Sequence, residues 1–256
     1  MKRVYVLTYC KDIGQLYGAL LVFDTIRIGF PTAEIIVVDN NSIPEAVIEI
    51  EKAARKVNAR FIKLENEVFH HEYLRFILNS ENDESQIYLI DPDVIFWKNV
   101  EAFTTDKLFA GRLIPEFFDA YTAVLTKARI HTSFLHIPSA KLLREKIIPL
   151  ENKYRTNIIK DTTLKTNDEW VMWDTFAQVF ECLHSDIEIF TEEKNECFDH
   201  IFCGSHLNVL AKRHYHSRMH EIHHLAIENP QELKGIWREQ HEFFLSTMTE
   251  GSKSGK

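Results

Sequence analysis

Short apolar runs alternating with helical repeats constrain this chain more than any other feature. Arg3 to Thr8 (RVYVLT), Glu34 to Asp39 (EIIVVD), Ala59 to Leu64 and Gln86 to Asp91 (QIYLID) are rich in β-branched and apolar residues. They alternate little between polar and apolar, which is the mark of strands buried on both faces. Between them, Ile13, Leu16, Tyr17, Leu20 and Leu21 recur at helical spacing until Gly29-Phe30-Pro31. Val47, Ile50, Ala54 and Val57 do the same behind Ser42-Ile43-Pro44-Glu45, which has the form of a capping box. Phe69 to Leu78 is a further amphipathic segment. Alternating strand and helix predict an α/β fold: a mostly parallel central sheet flanked by helices.

Ligands of such sheets bind beyond the carboxyl ends of the strands. Three polar clusters fall there: Thr8-Tyr9, Asp39-Asn40-Asn41 and Asp91-Pro92-Asp93. Asp91 and Asp93 sit between the apolar runs IYLI and VIFW. Two carboxylates in that setting are costly unless a cation compensates them. Hard oxygen ligands suit Mg²⁺ or Mn²⁺, which also take diphosphate oxygens.

The second half is less regular. Leu108 to Leu113 and Ile130 to Ile137 read as strands, and Ser139 caps a short helix through Ile147. Glu151 to Asn167 is polar and reads as a mobile loop, Glu169 to Phe180 as a helix, and Ile187 to Phe190 as an edge strand. Two C-terminal helices are expected, at roughly 216–227 and 231–248. With no internal repeat or clean linker, a single domain over 1–250 is the simplest division, with 251–256 a disordered tail.

A net charge of -8 disfavours a broad nucleic-acid-binding face. No apolar run is long enough to span a membrane, and the apolar stretch after Met1-Lys2-Arg3 stops at Thr8. The expectation is a cytoplasmic protein whose four cysteines, Cys10, Cys182, Cys197 and Cys203, stay reduced.

The order of these motifs carries a resemblance. A first strand ending in Thr8-Tyr9, a second reading Val37-Val38-Asp39-Asn40-Asn41-Ser42, and a later one ending in Asp91-Pro92-Asp93 make the first 100 residues similar to the family-2 glycosyltransferases and their relatives. The resemblance implies a Rossmann-like GT-A fold. It also implies transfer of a sugar from a nucleotide-diphospho-sugar, a UDP-sugar being the first choice, to an acceptor hydroxyl. Residues 1–100 would be the nucleotide-binding half and 101–250 the acceptor-binding half. Thr8, Tyr9, Asp39 and Asn41 would line the nucleoside pocket, Asp93 would be the main metal ligand, and Asp91 would face the sugar or ribose. A C-terminal histidine would complete the metal site, His200 ahead of Cys203-Gly204-Ser205, or else His206. Gly204 and Ser205 could then meet the diphosphate through backbone amides, and Arg213 through its guanidinium.

A general base must take the acceptor proton if the reaction inverts. Asp168, Glu169 and Asp174 in NDEWVMWD are the candidates, with Trp170 and Trp173 as sugar-packing faces; a helix cap and core tryptophans are the structural alternative. His131 or His136 could touch an acceptor, or be core. Cys197, His200, Cys203 and His206 recur every third residue, too close for the usual paired zinc ligands. The acceptor could be a glycan, a small molecule or a modified nucleic-acid base, the last favoured only by the basic cluster at 212–218. A nucleotidyltransferase would want a glycine-rich basic loop after the first strand, and Cys10-Lys11-Asp12-Ile13-Gly14 matches poorly. A non-catalytic nucleotide-sugar-binding module would not need both Asp91 and Asp93.

Overall fold

A computed structural model describes residues 2–81, 85–119, 123–166, 169–201, 221–225 and 227–235. The first half follows the alternation in the sequence: β1 (Lys2–Thr8), α1 (Ile13–Leu20), α2 (Ile26–Gly29), β2 (Glu34–Asp39), α3 (Pro44–Lys56), β3 (Arg60–Lys63), α4 (His70–Ser80) and β4 (Gln86–Ile90). The rest comprises β5 (Val94–Phe96), β6 (Phe109–Ile114), β7 (Phe117–Asp119), β8 (Val124–Thr126), β9 (Arg129–Ile137), α5 (Ala140–Tyr154), β10 (Thr162–Thr166), β11 (Glu169–Trp173), α6 (Ala177–Leu183), β12 (Ile187–Ile189), α7 (Glu192–Asn195) and β13 (Phe198–His200).

Seven strands form the central sheet in the order β12-β6-β9-β4-β1-β2-β3. All neighbours are parallel except β9, which runs antiparallel to both β4 and β6. The chain is thus an α/β protein with a mostly parallel sheet. Alternate residues of each strand feed opposite faces. Val4, Val6, Ile35 and Val37 pack with Leu16, Ile26, Ala46 and Ile50 of α1, α2 and α3. Tyr5, Ile36, Ile87 and Leu89 pack with Leu74 and Ile77 of α4, Leu143 of α5 and Val179 of α6. At Gly111 of β6 the side chains of β9 come close, since a Cβ there would collide with Ile130. A register shift follows between Gly111 and Leu113.

Several expectations are corrected. Ser42 does not cap α3. The helix starts behind Ile43 with Pro44 in its first turn, and the Ser42 hydroxyl instead accepts from the Cys10 amide at 2.9 Å. The helix opened by Ser139 runs on to Tyr154, so the polar stretch after Glu151 begins as helix. That stretch then ends as a strand, β10, and Glu169 to Trp173 is strand β11 rather than helix. The two pair antiparallel in a four-stranded sheet with β8 and β7. Helix begins only at Ala177, after Phe176 adopts a left-handed φ of 68°. Of the expected C-terminal helices, residues 221–225 are helical, and Pro230–Leu233 is a short 3-10 turn. Ile222 and Leu233 bury against Leu21, Ile95 and Ile201. Cys10, Cys182 and Cys197 are free thiols. Among the described residues, no helix is long and apolar enough to cross a membrane.

Candidate active site

The parallel register of β1, β2 and β4 brings their carboxyl ends to one edge: Thr8 lies opposite Asp39, and Val6 opposite Ile90. Antiparallel β9 brings its beginning to the same edge, where the Asp91 amide donates to the Ser133 carbonyl at 2.9 Å. The chain then turns through Pro92, whose carbonyl accepts from the Val22 amide, and enters β5.

Short β5 pairs antiparallel with β13, placing His200 opposite Val94, and the Ile201 amide donates to the Asp93 carbonyl at 2.9 Å. His200 Nε2 comes 3.2 Å from Asp93 Oδ1 and 3.9 Å from Asp91 Oδ2. One ligand atom from each of the three lies within 4.8 Å of the others. Asp93 and His200 are buried, while Asp91 is partly open to solvent. Two oxygens and an imidazole make a donor set that fits a divalent transition ion such as Mn²⁺ better than an all-oxygen Mg²⁺ site.

The electrostatics agree with that fit. Burial pushes the Asp91 carboxyl above its ordinary value; nearby His70 pulls it back, Asp93 raises it further, and Asp174 adds to the rise. Burial alone would lower the His200 imidazole, but the charge and hydrogen bond of Asp93, then Asp91, outweigh it and hold it raised. His200 also pulls the Asp91 carboxyl down, and a bound cation would add positive charge to the same cluster.

His131 stands beside His200, with ring centroids 4.7 Å apart. Burial, then the neighbouring His200, press His131 well below the usual imidazole range. Its Nδ1 accepts from the Ser133 amide at 3.0 Å. His136 is 1% exposed and stacks on Tyr88 at 4.6 Å, which closes it off from an acceptor. Arg112 lies under β13. It donates to the carbonyls of Asn195 and Phe198 and covers the Phe198 ring.

Of the three candidate bases, Asp174 belongs to this neighbourhood. It follows β11, pairs with Arg129 at 2.8 Å, and its charge reaches Asp91. Glu169 is exposed at the start of β11, and Asp168 lies outside the described residues. Trp170 is 47% exposed; the Trp173 indole donates to Glu181 at 2.7 Å.

Thr8 and Asp39 are fully buried and bonded to each other at 3.3 Å, and the second oxygen of Asp39 accepts from the Ser42 amide at 3.1 Å. The carboxylate therefore fixes the turn behind β2. Asn41 holds a left-handed φ of 59° in that turn. Asn40, from the same polar cluster, clamps the Val68 backbone: its amide nitrogen donates to the Val68 carbonyl and its amide oxygen accepts from the Val68 N–H. Tyr9 is partly exposed and donates to Glu67, which also pairs with Lys11 at 2.8 Å. Gly204, Ser205, His206 and Arg213 lie outside the described residues, as does Cys203. Cys197 is engaged with the Glu193 carbonyl. Arg112 and Arg129 were missed because an arginine inside an apolar strand reads as an interruption rather than a site. The available signal was its position at the sheet edge that carries the acids.

No protein-family model and no curated protein sequence matches the chain. Among solved structures it is similar to the galactosyltransferase LgtC in complex with donor and acceptor sugar analogs. That match has 13% identity and a TM-score of 0.48, over 92% of this chain and 99% of that one. It is also similar to the glycosyltransferase GlyE of Streptococcus pneumoniae TIGR4, at 13% identity and a TM-score of 0.44, over 76% of this chain. A third is the mannosyltransferase PcManGT from Pyrobaculum calidifontis in complex with GDP-Man and Mn²⁺, at 16% identity and a TM-score of 0.36, over 58% of this chain. The chain spans 46% of the length of GlyE and of PcManGT.

Proposed function

We propose that this protein is a metal-dependent glycosyltransferase that moves a sugar from a nucleotide-diphospho-sugar, a UDP-sugar first, to an acceptor hydroxyl. The observation that carries this reading is the convergence of Asp91, Asp93 and His200. Two elements far apart in sequence place three metal-competent atoms within 4.8 Å at the ligand-binding edge of the sheet. The ordered strand-end motifs of the first 100 residues, which resemble those of GT-A enzymes, support it.

Asp91, Asp93 and His200 would hold the cation. When bound, a divalent ion there would neutralise the charge that develops on the departing diphosphate. The remaining roles fall to the chain's own groups. Tyr9 and the turn held by Asp39 would border the nucleoside, residues 1–100 forming the nucleotide-binding half. Asp174 is the best-placed carboxylate to meet the transferred sugar or to take the acceptor proton. Exposed Trp170 would offer an apolar face on the acceptor side.

Calorimetric titration with UDP, with and without Mn²⁺, tests the reading. UDP should bind in the presence of Mn²⁺, and Asp93→Ala should remove the metal dependence. Binding that ignores both the metal and the substitution would overturn it.

A further inference from the structure

Arg129 opens β9 and is a charged side chain almost withdrawn from water, with a relative exposure of 9%. Its Nη2 pairs with Asp174 Oδ2 at 2.8 Å. Its Nη1 is buried and, among the described residues, has no hydrogen-bond partner. A guanidinium carries five donors in a fixed fork, and an unmet donor away from water carries a real penalty. The place is informative too. Arg129 lies two residues before His131 on one strand, and its charge acts on the His131 ring. The His131 ring meets that of His200 at 4.7 Å, and the Asp174 charge is felt at Asp91.

We propose that Arg129 is a substrate-binding residue whose Nη1 donates to a hydroxyl oxygen of the transferred sugar. This rests on the glycosyltransferase reading. A phosphate is the poorer match for the same donor. The guanidinium charge is already balanced by Asp174, and a dianion brought here would face the carboxylates of Asp174 and Asp91 as well. A neutral hydroxyl accepts the N–H without adding charge. A planar, charged fork that is held by a carboxylate and presents one further donor is rigid, which suits it to discriminate between sugars.

The test is binding, not turnover. In the presence of Mn²⁺, affinities for UDP, UDP-glucose and UDP-galactose are measured on the wild-type protein and on Arg129→Lys. The lysine keeps the positive charge for Asp174 and loses the second arm of the fork. Wild type should hold one of the two UDP-hexoses more tightly than UDP. Arg129→Lys should weaken that hexose roughly tenfold, about the worth of one hydrogen bond to a charged donor, and leave UDP unchanged. Should the lysine variant not fold, Arg129→Gln keeps one amide donor for Asp174 and removes the guanidinium fork, and the same outcome is expected. Parallel loss of UDP and UDP-hexose affinity would place Arg129 on the diphosphate and overturn the proposal. An unchanged hexose preference would overturn it equally, as would a wild type that holds neither hexose more tightly than UDP. A wild type that binds no UDP with Mn²⁺ would instead sink the glycosyltransferase reading, and this proposal with it.

Discussion

The Trp97 indole donates to Oδ2 of Asp199, the neighbour of His200, and the Gly235 amide donates to the same oxygen at 2.9 Å. Asp199 is 1% exposed. Along a strand, successive side chains face opposite ways, so Asp199 anchors the far side of β13 while His200 faces Asp93. His200 is therefore held in place by contacts made behind it. Asp199→Asn should weaken Mn²⁺ binding about tenfold, the low end of what supporting residues around a metal contribute. Mn²⁺ titration followed by electron paramagnetic resonance measures this. Affinity equal to wild type would show that β13 holds His200 unaided.

The turn behind β2 gives a second prediction. Asp39 accepts from both Thr8 and the Ser42 amide in a fully buried place. Asp39→Asn turns an N–H toward one of those partners, so either the Ser42 amide or the Thr8 hydroxyl proton loses its acceptor. It should cost about 1–3 kcal/mol of stability, the usual penalty for an unmet buried polar group. A urea denaturation midpoint that does not move would contradict this account.

A third prediction separates stability from binding. Arg27 donates to the carbonyls of Val57, Phe30, Ala33 and Asn58, tying α2 to the turns that lead into β2 and β3. Those turns lie at the amino ends of the strands, opposite the acidic edge. Arg27→Ala should destabilise by about 2–3 kcal/mol while Mn²⁺ and UDP affinities stay as they are. A variant with normal stability and impaired binding would reverse the assignment.

Acid stability supplies the fourth. Burial, then Lys194 and, more weakly, Lys2, hold the His136 imidazole down at about 4 against the opposing pull of Glu188. An unfolded histidine titrates near 6.5, so above that pH both states are neutral and His136 adds no pH dependence. As the pH falls from about 6.5 to about 4, the unfolded chain takes up a proton that the folded one refuses, and stability drops by on the order of 3 kcal/mol. His136→Phe keeps an aromatic ring against Tyr88 and removes the proton. Its stability should fall less steeply over that window, as read from urea midpoints at several pH values. Parallel curves for the two proteins would rule the histidine out as the cause.

The parts of the fold that the sequence announces are those whose environment is set locally. Val4, Val6, Ile35 and Val37 face one helix layer and Tyr5, Ile36 and Val38 the other. Both faces are therefore apolar, and each run reads as a buried strand without knowledge of its partner. Glu169 to Trp173 is different. Its tryptophans and valine suit either period, and the choice is made by pairing with Thr162–Thr166 and by the left-handed turn at Phe176. Thr162, Thr163 and Leu164 did carry a strand signal, hidden by the polar residues around them. The site divides the same way. Asp91 and Asp93 follow a strand that is plain in the sequence. His200 comes from a three-residue strand whose partner is equally short, so its residue type was suggestive but its place came only from β5.

The reversed direction of β9 has a consequence for how such a protein can change. Because β6 ends and β9 begins at the edge that carries Asp91, everything spliced between Ile114 and Arg129 is delivered beside the acidic cluster. That connection already holds β7 and β8, on which β11 pairs on its way to Asp174. Lengthening or rewriting it would remodel what stands opposite the acidic cluster, yet leave the register of β1, β2 and β4 untouched. On the proposed function, one backward strand would uncouple the choice of acceptor from the residues that hold the nucleotide.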